Sequence, residues 1–196
     1  MLEWLLNLDS QIYYLINTTW SNSLLDQVMP TLTDLHKVFI VQVVVFPALL
    51  IFWCYKEKKR FAPYLIGLVI AYSFTDAFNH YILKASIQRM RPPFAEQTYN
   101  LRTSPHYGYS FPSNHASNIF AAATYLSFLY PPARIYLLGF ATIIAYSRVY
   151  VGVHYPFDVL VGALVGILMA FSFYNLVRAL YSRHFESRGF KKWQKF

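Results

Sequence analysis

The sequence predicts an all-α protein, a polytopic membrane helix bundle with about five spanning helices and an N-terminal interfacial segment. Three observations carry this. Apolar residues make up 56% of the chain, and its mean hydropathy is +0.31, composition suited to a lipid solvent. The apolar residues collect in long runs that end at prolines or at basic clusters. Seventeen Tyr, seventeen Phe and four Trp suit the bilayer–water boundary, where an apolar ring and a polar tip are both satisfied.

Residues 1–35 mix apolar side chains with Asn7, Asp9, Gln11, Asn17, Asn22, Asp26 and Asp34. This is too polar for a comfortable span, so two short amphipathic helices at the interface are expected, broken near Trp20-Ser21-Asn22 and at Pro30. A sixth, imperfect span over 4–20 is the alternative. Residues 38–55 form the first span, with a possible kink at Pro47, and 61–83 form the second, with Pro63 in its first turn. Each approaches the length needed to cross ~30 Å of hydrocarbon. Residues 85–112 hold no run long enough to cross, and a loop of that length is more often functional than filler. The third helix starts near Ser113 or Asn114 and stops before Pro131-Pro132; the fourth covers 134–149 and the fifth 156–180. The whole chain reads as a single membrane-embedded domain, 1–196, ending in a basic cytoplasmic tail, 181–196.

Orientation follows from the cations. Eleven of the seventeen Lys and Arg fall on one side of this topology: Lys56, Lys58, Lys59, Arg60, Arg134, Arg178, Arg183, Arg188, Lys191, Lys192 and Lys195. That side should be cytoplasmic. The same distribution explains a formal charge of +8 through the membrane surface and needs no nucleic acid. The N-terminus lacks the positive region of a cleavable signal peptide, so the first span is expected to act as its own insertion signal. Cys54 is the one cysteine; no internal disulfide can form, and a buried packing role is expected of it.

Alternating spans then bring four stretches to the opposite, non-cytoplasmic face. The second span exits at Lys84, the third enters at Pro112-Ser113-Asn114-His115, the fourth exits at Ser147-Arg148 and the fifth enters at His154 and Asp158. Lys84, Arg91 and Arg148 are cations at an apolar boundary, where an ion costs up to about 2.5–3.5 kcal/mol at a helix centre. A bound phosphate would offset that cost, held by the arginine forks and the lysine charge. Any one of the three alone reads equally well as a snorkelling cation. Ser113 is a natural N-cap, and the amides that follow it, with the helix dipole, suit phosphoryl oxygens. His154 and Asp158 are one turn apart, so the carboxylate can hold the imidazole tautomer while the other ring nitrogen attacks phosphorus. His115 can protonate the departing oxygen. A metal site of His115, His154 and Asp158 competes with this reading, but three neighbouring cations would repel a dication.

Lys84 to Pro92, Pro112 to His115 and Ser147 to Asp158 together resemble the three-part signature of the type 2 phosphatidic acid phosphatase superfamily, which also includes the vanadium haloperoxidases. The motifs span 84–158, with a Lys-to-Arg interval of seven and a His-to-Asp interval of four. The resemblance implies His154 as nucleophile, Asp158 as its partner, His115 as general acid, and Lys84, Arg91, Arg148, Ser113 and the amide at Asn114 as phosphate ligands, with no cofactor and no metal. Asn114 departs from the glycine common there; asparagine tolerates unusual backbone angles, or its side chain contacts substrate.

The expected activity is metal-independent hydrolysis of a lipid phosphate or diphosphate through a phosphohistidine, at the outer face of a bacterial cytoplasmic membrane. Undecaprenyl diphosphate or lipid A phosphate is favoured over phosphatidylglycerophosphate and phosphatidate. The partners are that lipid and the bilayer, with no obligatory protein partner evident. A lipid phosphotransferase and a non-catalytic lipid-phosphate transporter or binding protein are the rivals; a haloperoxidase fits so apolar a chain poorly. Asp76, His80 and Lys84, at i, i+4 and i+8, are expected to form a polar stripe that positions the Lys84 ammonium. Arg89, Arg102, His106, Tyr107 and Tyr109 are expected on a solvated loop surface.

Overall fold

The structure is a computed structural model that describes residues 2–96 and 99–184. Every regular element among them is helical. Helix α1 (Leu2–Tyr14) runs through a wide π turn at Leu15–Thr19 and stops at the expected break. Asn22 caps α2 (Ser23–Thr33), its side chain accepting from the Leu25 amide at 3.0 Å. Pro30 does not break α2. It removes one i to i−4 bond, and burial of Met29 and Thr33 on either side carries the helix one further turn.

A π turn at Val41–Val45 leads into α3 (Phe46–Glu57), with Pro47 in its first turn. Phe39, Ile51 and Tyr55 on this segment are 76%, 70% and 78% exposed, as expected of side chains that meet lipid. Cys54 is exposed on the same helix, so the expectation of a buried thiol is corrected: α3 contributes little to the core, and this position faces outward. A turn at Lys58–Arg60 joins α3 to α4 (Phe61–Phe78), which continues through a π turn at Asn79–Lys84 into the short α5 (Ala85–Ile87). One turn, α6 (Pro92–Ala95), punctuates the following loop. Then come α7 (Asn114–Leu129), α8 (Arg134–Tyr150) and α9 (Pro156–His184).

Two stretches, 41–95 and 156–183, are long and apolar enough to cross a bilayer, each holding an 18-residue window of mean hydropathy 1.4 and 2.1 respectively. The first overlaps both spans expected before the polar loop. Helices α7 and α8 have 16 and 17 residues, roughly 24 and 26 Å at 1.5 Å per residue, shorter than the apolar core. Arg188, Lys191, Lys192 and Lys195 of the expected basic tail lie outside the described residues.

Helix α7 is the central helix, packed along α9, α8 and α4. Gly162 and Gly166, one turn apart on α9, allow this closeness. A Cβ at Gly162 would stand 2.6 Å from the Ser113 carbonyl oxygen, and one at Gly166 2.2 Å from that of Ser117. The start of α9 is thereby pressed against the start of α7, which brings His154 and Asp158 to the same level as Ser113-Asn114-His115. Tyr13 and Ile16 of the N-terminal segment join Val149, Val151, Val153 and Tyr155 in one apolar cluster at this end of the bundle.

Candidate active site

Each cation is fixed by carbonyl or hydroxyl oxygens supplied by a different element. Lys84 ends the π turn after α4 and donates from Nζ to the carbonyls of Tyr109 at 2.8 Å and Ser110 at 3.4 Å. Arg91, ahead of α6, donates from Nε to the Gly108 carbonyl (3.2 Å) and from Nη1 to that of Val153 (3.0 Å). Arg148 ends α8 fully buried; its Nη1 donates to Thr33 Oγ1 at 2.7 Å, and its Nε has no partner. A buried guanidinium N–H without an acceptor is costly, and an anion in the adjoining space would relieve it.

That space is a cavity of about 530 Å³ lined by Lys84, Arg91, Asn114, His115, Arg148 and His154, with His80, His106, Tyr107 and Tyr109 on its wall. Ser113 is buried and caps α7, Oγ accepting from the Ala116 amide at 3.5 Å; its own amide donates to the Asp158 carbonyl at 2.9 Å. Ser113 therefore frames the pocket without lining it. Asp158 lies behind His154 in the same way.

Gly152, at φ +88°, turns the chain from α8 toward α9; a Cβ there would meet the Asn100 carbonyl oxygen at 2.7 Å. The turn delivers His154, 2% exposed. Its Nε2 lies 3.1 Å from Arg91 Nη1 and its Nδ1 faces Asp158 Oδ2 at 3.4 Å. A guanidinium only donates, so Nε2 is the acceptor and the ring proton sits on Nδ1, toward the carboxylate. Burial pushes the His154 pKa well below the ordinary histidine value; Asp158 opposes the shift, and Arg91 and Arg148 add to it. The ring is neutral, with its lone pair on the pocket side.

Asp158 is held more elaborately than the sequence suggests. Oδ2 accepts from the Tyr155 amide at 2.9 Å and from the Ser110 hydroxyl, and Oδ1 accepts from Arg89 Nη1 at 3.0 Å. The same Arg89 nitrogen lies 2.6 Å from Asp9 Oδ2, and the guanidinium stacks over the Tyr155 ring at 3.7 Å. Asp9, fully buried on α1, also accepts from the Phe157 amide at 2.9 Å. The expectation of a solvated loop surface is therefore corrected for Arg89, which is drawn inward by two buried carboxylates. It is corrected for Arg102 too, which pairs with Asp26 at 2.6 Å and donates to the carbonyls of Asn17 and Tyr150. Asp9 carried a readable signal: it stands four residues before Tyr13, on the face of α1 that is buried, and a carboxylate there demands a cation.

The expected stripe is divided. Asp76 accepts from Asn114 Nδ2 and Asn118 Nδ2 at 2.9 and 2.8 Å, while His80 lines the pocket beside Lys84. The wide turn at Asn79–Lys84 advances less per residue than an α-helix, which takes Lys84 off the i+8 position, and the loop carbonyls hold its ammonium. Burial and the Arg148 charge lower the pKa of His106 on the loop wall. Among the described residues, donors of metal-ligand type gather at Asp34, His36 and His115, within 4.8 Å of one another. His154 and Asp158 are not in that group. Lys37 already pairs with Asp34 at 3.0 Å, and His115 shares its cavity with three further cations, so the charge here suits an anion better than a dication.

Residues 61–182 match the PAP2 superfamily. A lipid A 4'-phosphatase of Bacteroides thetaiotaomicron is 30% identical over 127 residues, 61% of this chain and 56% of that protein. An undecaprenyl-diphosphatase of Sulfolobus acidocaldarius is 38% identical over 110 residues, 54% of this chain and 52% of that protein. These alignments cover about half the length of the curated relatives. Among solved structures, Aquifex aeolicus LpxE superposes with a TM-score of 0.68 at 30% identity, over 86% of this chain and 95% of that one. A PAP2-type phosphatidylglycerolphosphate phosphatase of Bacillus subtilis gives 0.60 at 25% identity, over 92% and 87%.

Proposed function

The chain belongs to the PAP2 superfamily, and from that premise we propose that it is a lipid phosphate phosphatase working through a phosphohistidine. The observation that carries this reading is the convergence of Lys84, Arg91, Arg148, His115 and His154 on one cavity, with Asp158 facing the far nitrogen of His154. The three cations bind the phosphoryl oxygens, aided by the amides at the start of α7. His154 Nε2 attacks phosphorus, the bond from phosphorus to the ester oxygen breaks, and His115 gives that oxygen its proton. Asp158 stabilises the imidazolium as the Nδ1 proton stays in place. Water then attacks the phosphohistidine, His115 takes its proton, and inorganic phosphate leaves with His154 neutral again. The cations supply the charge compensation, and no metal takes part.

In this reading the chain is one membrane-embedded domain with five spans: 38–57, 61–84, α7, α8 and α9. The pocket opens on the side opposite Lys56–Arg60 and Arg134, hence away from the cytoplasm of a bacterial inner membrane. The exposed apolar side chains of α3, α4 and α9 support lipid around the bundle. Lipid A phosphate and undecaprenyl diphosphate head the candidate substrates, as relatives bear those names.

The test is release of inorganic phosphate from purified lipid phosphates in detergent with a chelator present, native chain against His154→Ala. The native chain is expected to turn over and the variant to lose at least about a thousandfold. Chelator-sensitive activity, or equal activity of the two, would overturn the reading.

A further inference from the structure

A second cavity, of about 640 Å³, meets the phosphate pocket at Asn114 and His115 and is built differently from it. Leu32, Leu35, Phe46, Tyr72, Ile119 and Ile144 supply apolar wall, and Asp76, Asn114 and Asn118 supply a polar corner. Asp76 Oδ1 accepts from both carboxamides, Asn114 Nδ2 at 2.9 Å and Asn118 Nδ2 at 2.8 Å. A carboxylate has no proton to give, so these bonds fix which way each amide is turned. Both NH2 groups face Asp76, and both Oδ1 atoms point elsewhere. Each Oδ1 is buried and has no hydrogen-bond partner, and Asn118 as a whole is 8% exposed. Two buried acceptors left open beside a reaction pocket are costly unless something donates to them.

We propose that Asp76, Asn114 and Asn118 form a subsite for hydrogen-bond donors on the leaving group, so that the substrate is a phosphate monoester of a sugar- or glycerol-based lipid with hydroxyl or amide N–H groups near the ester oxygen. This rests on the phosphatase reading and narrows it. The corner offers acceptors and one negative charge. A polyprenyl diphosphate would bring the anionic oxygens of its second phosphate against them, with no donor in return. The apolar wall beyond takes the acyl chains of the same lipid. The Asn114 side chain thereby gains a use that its main-chain amide alone does not explain.

The experiment measures kcat/KM in detergent for two donor-bearing lipids, a lipid A phosphate and phosphatidylglycerophosphate, and two without donors, undecaprenyl diphosphate and phosphatidate. The native chain is expected to prefer the donor-bearing pair by about a hundredfold or more, since unpaired site groups discriminate strongly. Asn118→Ala should cut that ratio by about tenfold. Asn114→Gly, which keeps the main-chain amide, should do likewise and guards against a folding failure of the first variant. The subsite is overturned if the native chain favours undecaprenyl diphosphate, or if the ratio stays unchanged in the variants. If the native chain releases phosphate from none of the four, the phosphatase reading falls and this inference with it. The sugar- and glycerol-based arms, compared with each other, identify the source of the donors.

Discussion

His154 sits 2% exposed in front of a carboxylate that answers to Arg89, Ser110 and the Tyr155 amide, whereas His115 stands where two cavities meet, with the His36 ring 5.5 Å away. One imidazole is gripped from behind by charges that reach back to α1. The other borders both the phosphate pocket and the apolar groove. The difference suits the two duties proposed above. A nucleophile must meet phosphorus along one line, so its ring is held fixed. A proton donor must serve a leaving oxygen whose position varies with the lipid, and the His115 ring stands beside the cavity proposed to take that lipid.

The sharpest way to break this comparison is to vary the leaving group. His154→Ala should abolish turnover of every substrate alike. His115→Ala should lose about 10²–10⁴ in kcat/KM on an alkyl lipid phosphate, but far less on p-nitrophenyl phosphate, whose phenolate departs without a proton. Steady-state kinetics of both variants on both substrates decide the matter. Equal losses for His115→Ala on the two would remove the asymmetry.

A second test addresses the support behind His154. Arg89 joins Asp9 and Asp158, both 0% exposed at the side chain. Arg89→Gln leaves two buried carboxylates short of their cation, and breaking a buried pair from one side costs about 3–5 kcal/mol. Thermal unfolding in detergent should show this loss. Replacing both members, Arg89→Met with Asp9→Leu, should recover part of the stability, because no charge is then stranded on α1. Activity should not recover with it, since Asp158 still lacks its guanidinium. Stability and turnover returning together would mean that Arg89 acts on the fold alone.

Much of the frame was legible in the sequence because lipid and helix geometry leave few options. Apolar runs, ended by Pro131-Pro132 or by Lys56 to Arg60, gave the helices, and Lys84, His115, Arg148 and His154, expected at one end of the bundle, line one cavity. What escaped detection depended on partners far apart in the chain. Asp9 and Arg89 are 80 positions apart, and neither spacing nor periodicity links them. The π turn at Asn79–Lys84 likewise depends on packing, so the stripe of Asp76, His80 and Lys84 drawn on an ideal helix did not show that loop carbonyls hold Lys84 while Asp76 turns to Asn114 and Asn118. Cys54 was misjudged because apolar neighbours mark a core in water but only an outer face in lipid.

The smallest expected effect is a shift in pH dependence. In the proposed mechanism His154 attacks as the neutral ring, and burial lowers its pKa below the ordinary value of about 6.5. As pH falls through 6.5 an ordinary histidine would take a proton, while His154 stays neutral until its depressed pKa is reached. The acid limb of kcat/KM should therefore lie below pH 6.5. Asp158 raises this pKa by hydrogen bond and by charge, so Asp158→Asn should move the limb to still lower pH in whatever activity remains. The substrate phosphate also titrates near pH 6, but it does so equally for both proteins, so the displacement between the two profiles belongs to the enzyme. A limb that moves toward higher pH in Asp158→Asn would assign it to a group other than His154 and return the question to His115.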